Sequence, residues 1–201
     1  MPDPEPARGR RRDPGTDAAI LTAARRLLVT DGYDKLSMES LARAANTSRP
    51  TVYRRWPSKV HVVFDAAFGD AAAGAEVVGS GDFAQDVRGF TERVIRFWTD
   101  PVVEAAVMGI LTERHRDPDL SIRAQQLLDD STRAQFRALV DAGIAAGTAR
   151  PDVDGDALYD VLIGSTFYGV QVLGHRADDD FVDRICSVVL QGAAPRVEED
   201  V

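Results

Sequence analysis

With a single cysteine in 201 residues, Cys186, the chain cannot build a disulfide framework. Its three histidines are scattered, so no Cys/His set stands at zinc-ligand spacing and no metal or cofactor is expected. Long hydrophobic runs are missing too. The longest charge-free apolar stretch, residues 161–174, has 14 residues against the roughly 20 that a bilayer crossing needs. The Pro- and Arg-rich start is not a charged-then-apolar leader, so a cytoplasmic protein with no membrane partner is expected. No stretch alternates with period two, which argues against half-buried strands. A GxSxG elbow, a phosphate-cradling glycine loop and a His/carboxylate metal set are all lacking. An enzyme is therefore the weakest of three readings, and the chain is expected not to be one.

The composition itself is that of a globular protein, 44% hydrophobic and 28% charged, long enough to bury a real core. The net charge of −8 would by itself argue against a nucleic-acid partner, but it hides a division. Residues 1–68 hold 12 Lys/Arg and 8 Asp/Glu, a net of +4, whereas residues 69–201 hold 12 Arg and 24 Asp/Glu, a net of −12. A basic end on an acidic body points to nucleic acid at that end.

Periodicity predicts an all-α chain of about nine helices. Residues 1–15, with four prolines and four arginines, read as a disordered basic arm. Ile20, Ala23, Ala24, Leu27 and Leu28 mark a first helix from a Thr16/Asp17 cap to Asp31-Gly32. Ser37 caps a short helix over 38–45, Ser48 caps another over 49–56 that ends at Pro57, and Ser58 caps a fourth reaching Phe68. Residues 69–81 lose periodicity and form a junction between a domain at the basic end (16–68), where DNA binding is expected, and a second helical domain (82–195). Beyond it, Asp82, Asp100-Pro101, Asp117-Pro118, Asp154 or Asp156, and Asp178 to Asp180 open successive helices, the third running to Gly147.

The informative stretch is residues 37–59, SMESLARAANTSRPTVYRRWPSK. Two short helices joined by a three-residue turn make a helix-turn-helix, and Asn46 suits the left-handed backbone such a turn requires. The second helix turns Arg49, Thr51, Tyr53 and Arg54 outward, with Val52 and Trp56 inward. Thr47, Ser48, Arg49, Thr51 and Tyr53 are residue types suited to base edges and phosphates at the N-terminal end of a recognition helix. Tyr53 reads equally well as half-packed core. The run Arg8, Arg10, Arg11 and Arg12 could follow phosphates or a minor groove, or merely solubilise the tail.

Residues 20–68 closely resemble the DNA-binding region of the TetR (tetracycline-repressor) family of bacterial regulators. The resemblance is carried by Ala24, Leu27-Leu28, Gly32-Tyr33, Ser37, Leu41-Ala42, Ala45, Ser48, Thr51-Val52-Tyr53, Trp56 and Ser58-Lys59-Val60. Asn46 stands where many members have glycine, and Trp56 where phenylalanine is commoner. The resemblance implies that Tyr53 and Lys59 touch phosphates with Ser37 near the backbone. It also implies that Thr47, Arg49 and Thr51 lie nearest bases.

The last two helices resemble one subgroup of that family, in which they pair with their copies as a four-helix bundle. The apolar stretch at 161–174, with small Gly164, Ser165 and Gly169, fits such a homodimer, and a monomer's central helix would show the same pattern. Leu162, Phe167, Val170, Phe181, Ile185 and Val189 are expected at or near the interface, and a two-fold dimer would read a palindromic operator in double-stranded DNA. A pocket among the middle helices would draw on Phe90, Phe97, Trp98, Met108, Leu111, His115, Phe136 and Tyr168. The scarcity of polar groups around these residues suggests an apolar or aromatic effector. His115 and His175 read as structural, and Cys186 as buried and inert. The expected function is a dimeric repressor released by a small effector. The alternative is a helix-turn-helix regulator without one, its C-terminal half serving dimerisation or a protein partner.

Overall fold

Aspartate and serine set most of the helix starts, as the chain's pattern predicts. The computed structural model describes residues 14–69, 79–176 and 179–193. Within them run α1 (Pro14–Asp31), α2 (Met38–Ala44), α3 (Arg49–Tyr53), α4 (Lys59–Phe68), α5 (Phe83–Trp98), α6 (Pro101–Arg114), α7 (Pro118–Ala124), α8 (Ser131–Ala145), α9 (Gly155–Gln171) and α10 (Asp179–Ala193), and no strand. The side chains of Asp82, Asp100, Asp117 and Asp154 each accept backbone N–H groups of the first turn that follows them. These bonds satisfy donors that the helix itself leaves orphaned.

Three boundaries differ from expectation. α1 begins at Pro14, because proline's fixed φ and missing N–H suit a first turn better than an interior one. α3 closes at Tyr53; residues 54–56 continue as turns, with the N–H groups of Arg55 and Trp56 both reaching the Val52 carbonyl at 3.0 Å before Pro57. The single helix expected from Asp117 to Gly147 is interrupted by a π-helical turn, Gln125–Asp130, between α7 and α8. Counted as one run across that turn, the described helices number nine.

Two hydrophobic cores result. In the first, Ile20, Leu28, Leu41, Val52, Trp56, Val63, Phe64 and Phe68 of α1–α4 pack with Val103, Ala106 and Ile110 of α6 and Leu120 and Ala124 of α7. The second joins α5, α8, α9 and α10 through Phe83, Phe90, Ile95, Phe136, Leu139, Tyr159, Leu162 and Val189. Packing therefore crosses the junction: α6 belongs as much to the head as to the body.

Candidate nucleic-acid interface and ligand cavity

The turn between α2 and α3 has the backbone its sequence demands. Asn46 sits at φ 50°, the one described non-glycine residue in the left-handed region. Ser37 and Ser40 close a reciprocal capping box on α2. On α3 the Ser48 hydroxyl accepts the Thr51 N–H at 3.3 Å and hydrogen-bonds the Thr51 hydroxyl at 2.8 Å. Val52 and Trp56 are buried and press α3 onto the head's core, each burial contributing on the order of 2 kcal/mol. The opposite face is open to solvent: Ser48, Arg49, Tyr53 and Arg54 are exposed, Thr51 half-buried. Arg49 reaches back to within 4.0 Å of Glu39 on α2, a loose exposed pair that leaves the guanidinium available.

Thr47 is half-buried in the turn and Ser37 is exposed beside it at the start of α2. Lys59 is turned into the protein, its ammonium donating to the Tyr33 carbonyl at 3.2 Å and lying 4.0 Å above the Tyr33 ring. Arg10, Arg11 and Arg12 lie outside the described residues. A residue without a candidate role, Arg55, anchors the motif: its buried side chain donates to Asp17 at the start of α1 and to the Thr51 carbonyl. Charge pattern could not single it out beside Arg54, because only packing decides which of two adjacent arginines turns inward.

α4 ties this head to the body. The Trp56 indole donates to Asp65 at 2.7 Å, and Asp65 also receives Arg123 of α7. Arg25 of α1 donates to the Ala66 carbonyl at 2.8 Å, and His61 lies 3.4 Å from Asp117. On α6, a Cβ at Gly109 would fall 2.5–2.6 Å from the Tyr33 ring, so only glycine allows that close approach. The Tyr33 hydroxyl donates to Glu113 one turn further on. Burial, and then the Glu113 carboxylate, push the Tyr33 phenol well above its ordinary value.

A cavity of about 570 Å3 opens between α4, α5, α6, the π turn, α8 and α9. Phe90, Phe97, Trp98 and Leu111 line it as expected positions; Met108, His115, Phe136 and Tyr168 do not. Met108 and Tyr168 are on the outer faces of α6 and α9, His115 is exposed at the C-cap of α6, and Phe136 is sealed in the second core. The walls also take Phe68, Arg93, Arg114, Gln125, Asp129, Tyr159 and Phe167, more polar than composition suggested. The π turn could not be read from spacing, yet it presents Gln125, Leu128 and Asp129 to the cavity.

Of the residues expected at an interface, Leu162, Val170, Phe181 and Val189 are buried inside this chain, Ile185 is half-buried and Phe167 borders the cavity. The outward apolar positions are instead Val161 and Tyr168 on α9, Val172 and Leu173 just past its end, and Val188 on α10. A helix apolar nearly all round carries no phase signal to say which stripe faces inward. His175 stacks on Phe181 at 4.8 Å, and buried Cys186 lies 3.6 Å from the Thr91 hydroxyl, its thiol pushed up by burial and so unreactive.

A short helix exposed on a helix-turn-helix, packed through α4 and α6 onto a body with a cavity, defines a class of DNA-binding transcription regulators. The profile of the tetR family of bacterial regulatory proteins matches residues 20–66, and that of the tetracyclin repressor-like C-terminal domain matches residues 77–189. The DNA-binding transcriptional repressor TetR of Mycobacteroides abscessus is 30% identical over 190 residues, 92% of this chain and 94% of that protein. The HTH-type transcriptional regulator YdeS of Bacillus subtilis is 29% identical over 175 residues, covering 87% and 88%. A crystal structure of the TetR family transcription regulator SCO0332 is 28% identical with a TM-score of 0.61, covering 90% of this chain and 99% of that one. A TetR transcriptional regulator from Agrobacterium tumefaciens shares the fold at TM-score 0.71 and 21% identity, covering 92% and 96%. The same fold occurs in a transcriptional regulator from Saccharomonospora viridis solved in complex with choline, at TM-score 0.67 and 18% identity, covering 92% and 100%. The chain belongs to the TetR family of bacterial transcriptional regulators, a family of DNA-binding regulators and not of enzymes. Among its described residues no helix is long and apolar enough to cross a membrane.

Proposed function

We propose that the protein is a dimeric repressor that binds a palindromic operator in the cytoplasm and is released from it by a small molecule held in the body's cavity. One observation carries the reading. Phe68, the last residue of α4, is at once a wall of the cavity and a buried member of the head's core, where it lies 5.2 Å from Phe64 and 5.8 Å from Phe97. A ligand that displaces Phe68 or the inner face of α6 moves the helix on which the recognition motif rides. It need only bind the DNA-incompetent arrangement more tightly to release DNA. An open cavity of this size favours an effector over a collapsed, ligand-free interior.

Thr47, Ser48, Arg49 and Thr51 would face bases, and Ser37 and Tyr53 the backbone. Lys59 can do so with the N–H directions that Tyr33 leaves free, and Arg10, Arg11 and Arg12 would extend the phosphate contacts. The apolar stripe of Val161 and Tyr168 on α9, Val172 at its C-terminal cap and Val188 on α10 is the surface offered to a second copy, with Leu162, Val170, Phe181 and Val189 backing it from within. Sedimentation together with a mobility shift on DNA upstream of the protein's own gene tests the reading. A two-fold species whose binding weakens steeply with salt is expected. Salt-insensitive binding, or a Tyr168→Glu variant that stays dimeric, contradicts it.

A further inference from the structure

We propose that the cavity selects an organic anion, a carboxylate on an aromatic or similarly bulky apolar body; the assignment rests on the effector reading above and narrows it to one chemical class. The body's own electrostatics carry it. Residues 69–201 hold twice as many acidic as basic residues, 24 against 12, so an arginine there has carboxylates to spare. Arg88, Arg123, Arg133, Arg137, Arg150, Arg176 and Arg184 all take one, while Arg96 and Arg116 extend into solvent. The two arginines that border the cavity, Arg93 and Arg114, have no ion-pair or hydrogen-bond partner among the described residues. Asp129, the one carboxylate in the described walls, is already taken by Arg133 at 3.2 Å and by the Gln125 amide at 2.7 Å.

Unmatched donors add to unmatched charge. The Nε–H of Arg114 and the indole N–H of Trp98, both on wall residues, are buried without an acceptor. Buried donors are nearly always satisfied in folded proteins, so these two mark a wall whose polar groups are incompletely matched, though a guest would reach them only with a small shift of the side chains. A carboxylate brings two oxygens that can accept from a guanidinium and a neighbouring N–H together. Arg93 lies with its guanidinium 5.4 Å from the centre of the Phe90 ring at the solvent side of the wall; partial burial and then Arg96 hold it below its usual value, against the opposing pull of Asp86. A cation would meet two guanidinium groups, and a neutral apolar guest would desolvate them without compensation. The apolar body has its own walls in Phe68, Phe90, Phe97 and Phe167.

Isothermal titration of the full chain with 4-phenylbutyrate, 4-phenylbutanamide and 4-phenylbutylammonium separates the classes. The acid should bind about tenfold or more tightly than the amide, as a charge-assisted bond predicts, and the ammonium more weakly than either. Arg114→Gln should bring the acid down to the amide's affinity while the amide is unchanged. Arg93→Gln should lower acid binding by a smaller factor, and Arg150→Gln, outside the cavity, should change nothing. An amide or ammonium that binds as well as the acid overturns the anion assignment and leaves the cavity reading standing. So does an acid-to-amide ratio unmoved in both Arg114→Gln and Arg93→Gln. If none of the three compounds binds, the effector reading beneath the assignment falls with it.

Discussion

The head and the body satisfy their polar groups differently. In the head the deepest arginine, Arg55, is held by Asp17 and the Thr51 carbonyl, and the Trp56 indole has Asp65. In the body the indole of Trp98 and the Nε–H groups of Arg114 and Arg150 are buried without acceptors; these are all such side-chain atoms among the described residues. The head is a closed, capped unit whose face needs nothing but DNA, whereas the body keeps a void with unused donors. Rigid geometry serves the surface that must match a groove. Incomplete packing leaves the body with the looser of the two interiors.

Equivalent truncations in the two regions would break that comparison if they cost the same. Phe64→Ala, in the filled core, is expected to lower stability by about 3–5 kcal/mol, while Phe97→Ala, whose ring borders the cavity, should cost clearly less. Urea denaturation of both variants reads the difference directly. Arg55→Ala comes next. It removes a buried guanidinium that holds Asp17 and the Thr51 carbonyl together, and because the Asp17 side chain keeps contact with water a loss of roughly 2 kcal/mol is expected, short of the full cost of a wholly buried pair. DNA binding should weaken with it, since the same side chain pins the Thr51 turn.

Arg49→Ala should do the reverse. Folding stability should stay within about 0.5 kcal/mol, because the residue is exposed and its contact with Glu39 is loose. Operator affinity should fall by about 1–3 kcal/mol, with sequence preference relaxed at one base pair, as read by competition with mutated operators. Ser48→Ala removes the cap of α3 and should cost about 1 kcal/mol, seen equally in melting and in DNA affinity. The smallest effect concerns pH. The folded state raises the Tyr33 pKa, so it holds that proton more tightly than the unfolded chain. Its contribution is complete below the unfolded value near 10 and is lost as pH rises beyond it. Denaturation midpoints measured from pH 8 to 11 should therefore fall at the alkaline end, and less so in Tyr33→Phe.

Some features were legible because their physics is local. Asp-Pro pairs, serine caps and the left-handed Asn46 announce helix starts and a turn through atoms only a few residues apart. The exposed side of α3 could be read for the same reason. Val52 and Trp56 at helical spacing fix which side of α3 is buried, and so which side carries Arg49 and Tyr53. The π turn, the inward rotation of Arg55 and the outward stripe of α9 escaped. The last two depend on partners distant in sequence: Asp17 for Arg55, and α5, α8 and α10 for α9.

The chain's pattern alone therefore determined an all-α protein, a basic reading head on an acidic body, and the residues that head presents. Capping, periodicity and charge act over one or two turns and need no knowledge of the rest of the molecule. Tertiary structure alone decided that α6 is shared between the two cores, that Phe68 connects cavity to head, and that two arginines of an acid-rich body stand unpaired around an aromatic cavity. Those outcomes follow from which helices meet, and an apolar helix or an arginine in a crowd of carboxylates does not specify its neighbour until the chain has packed.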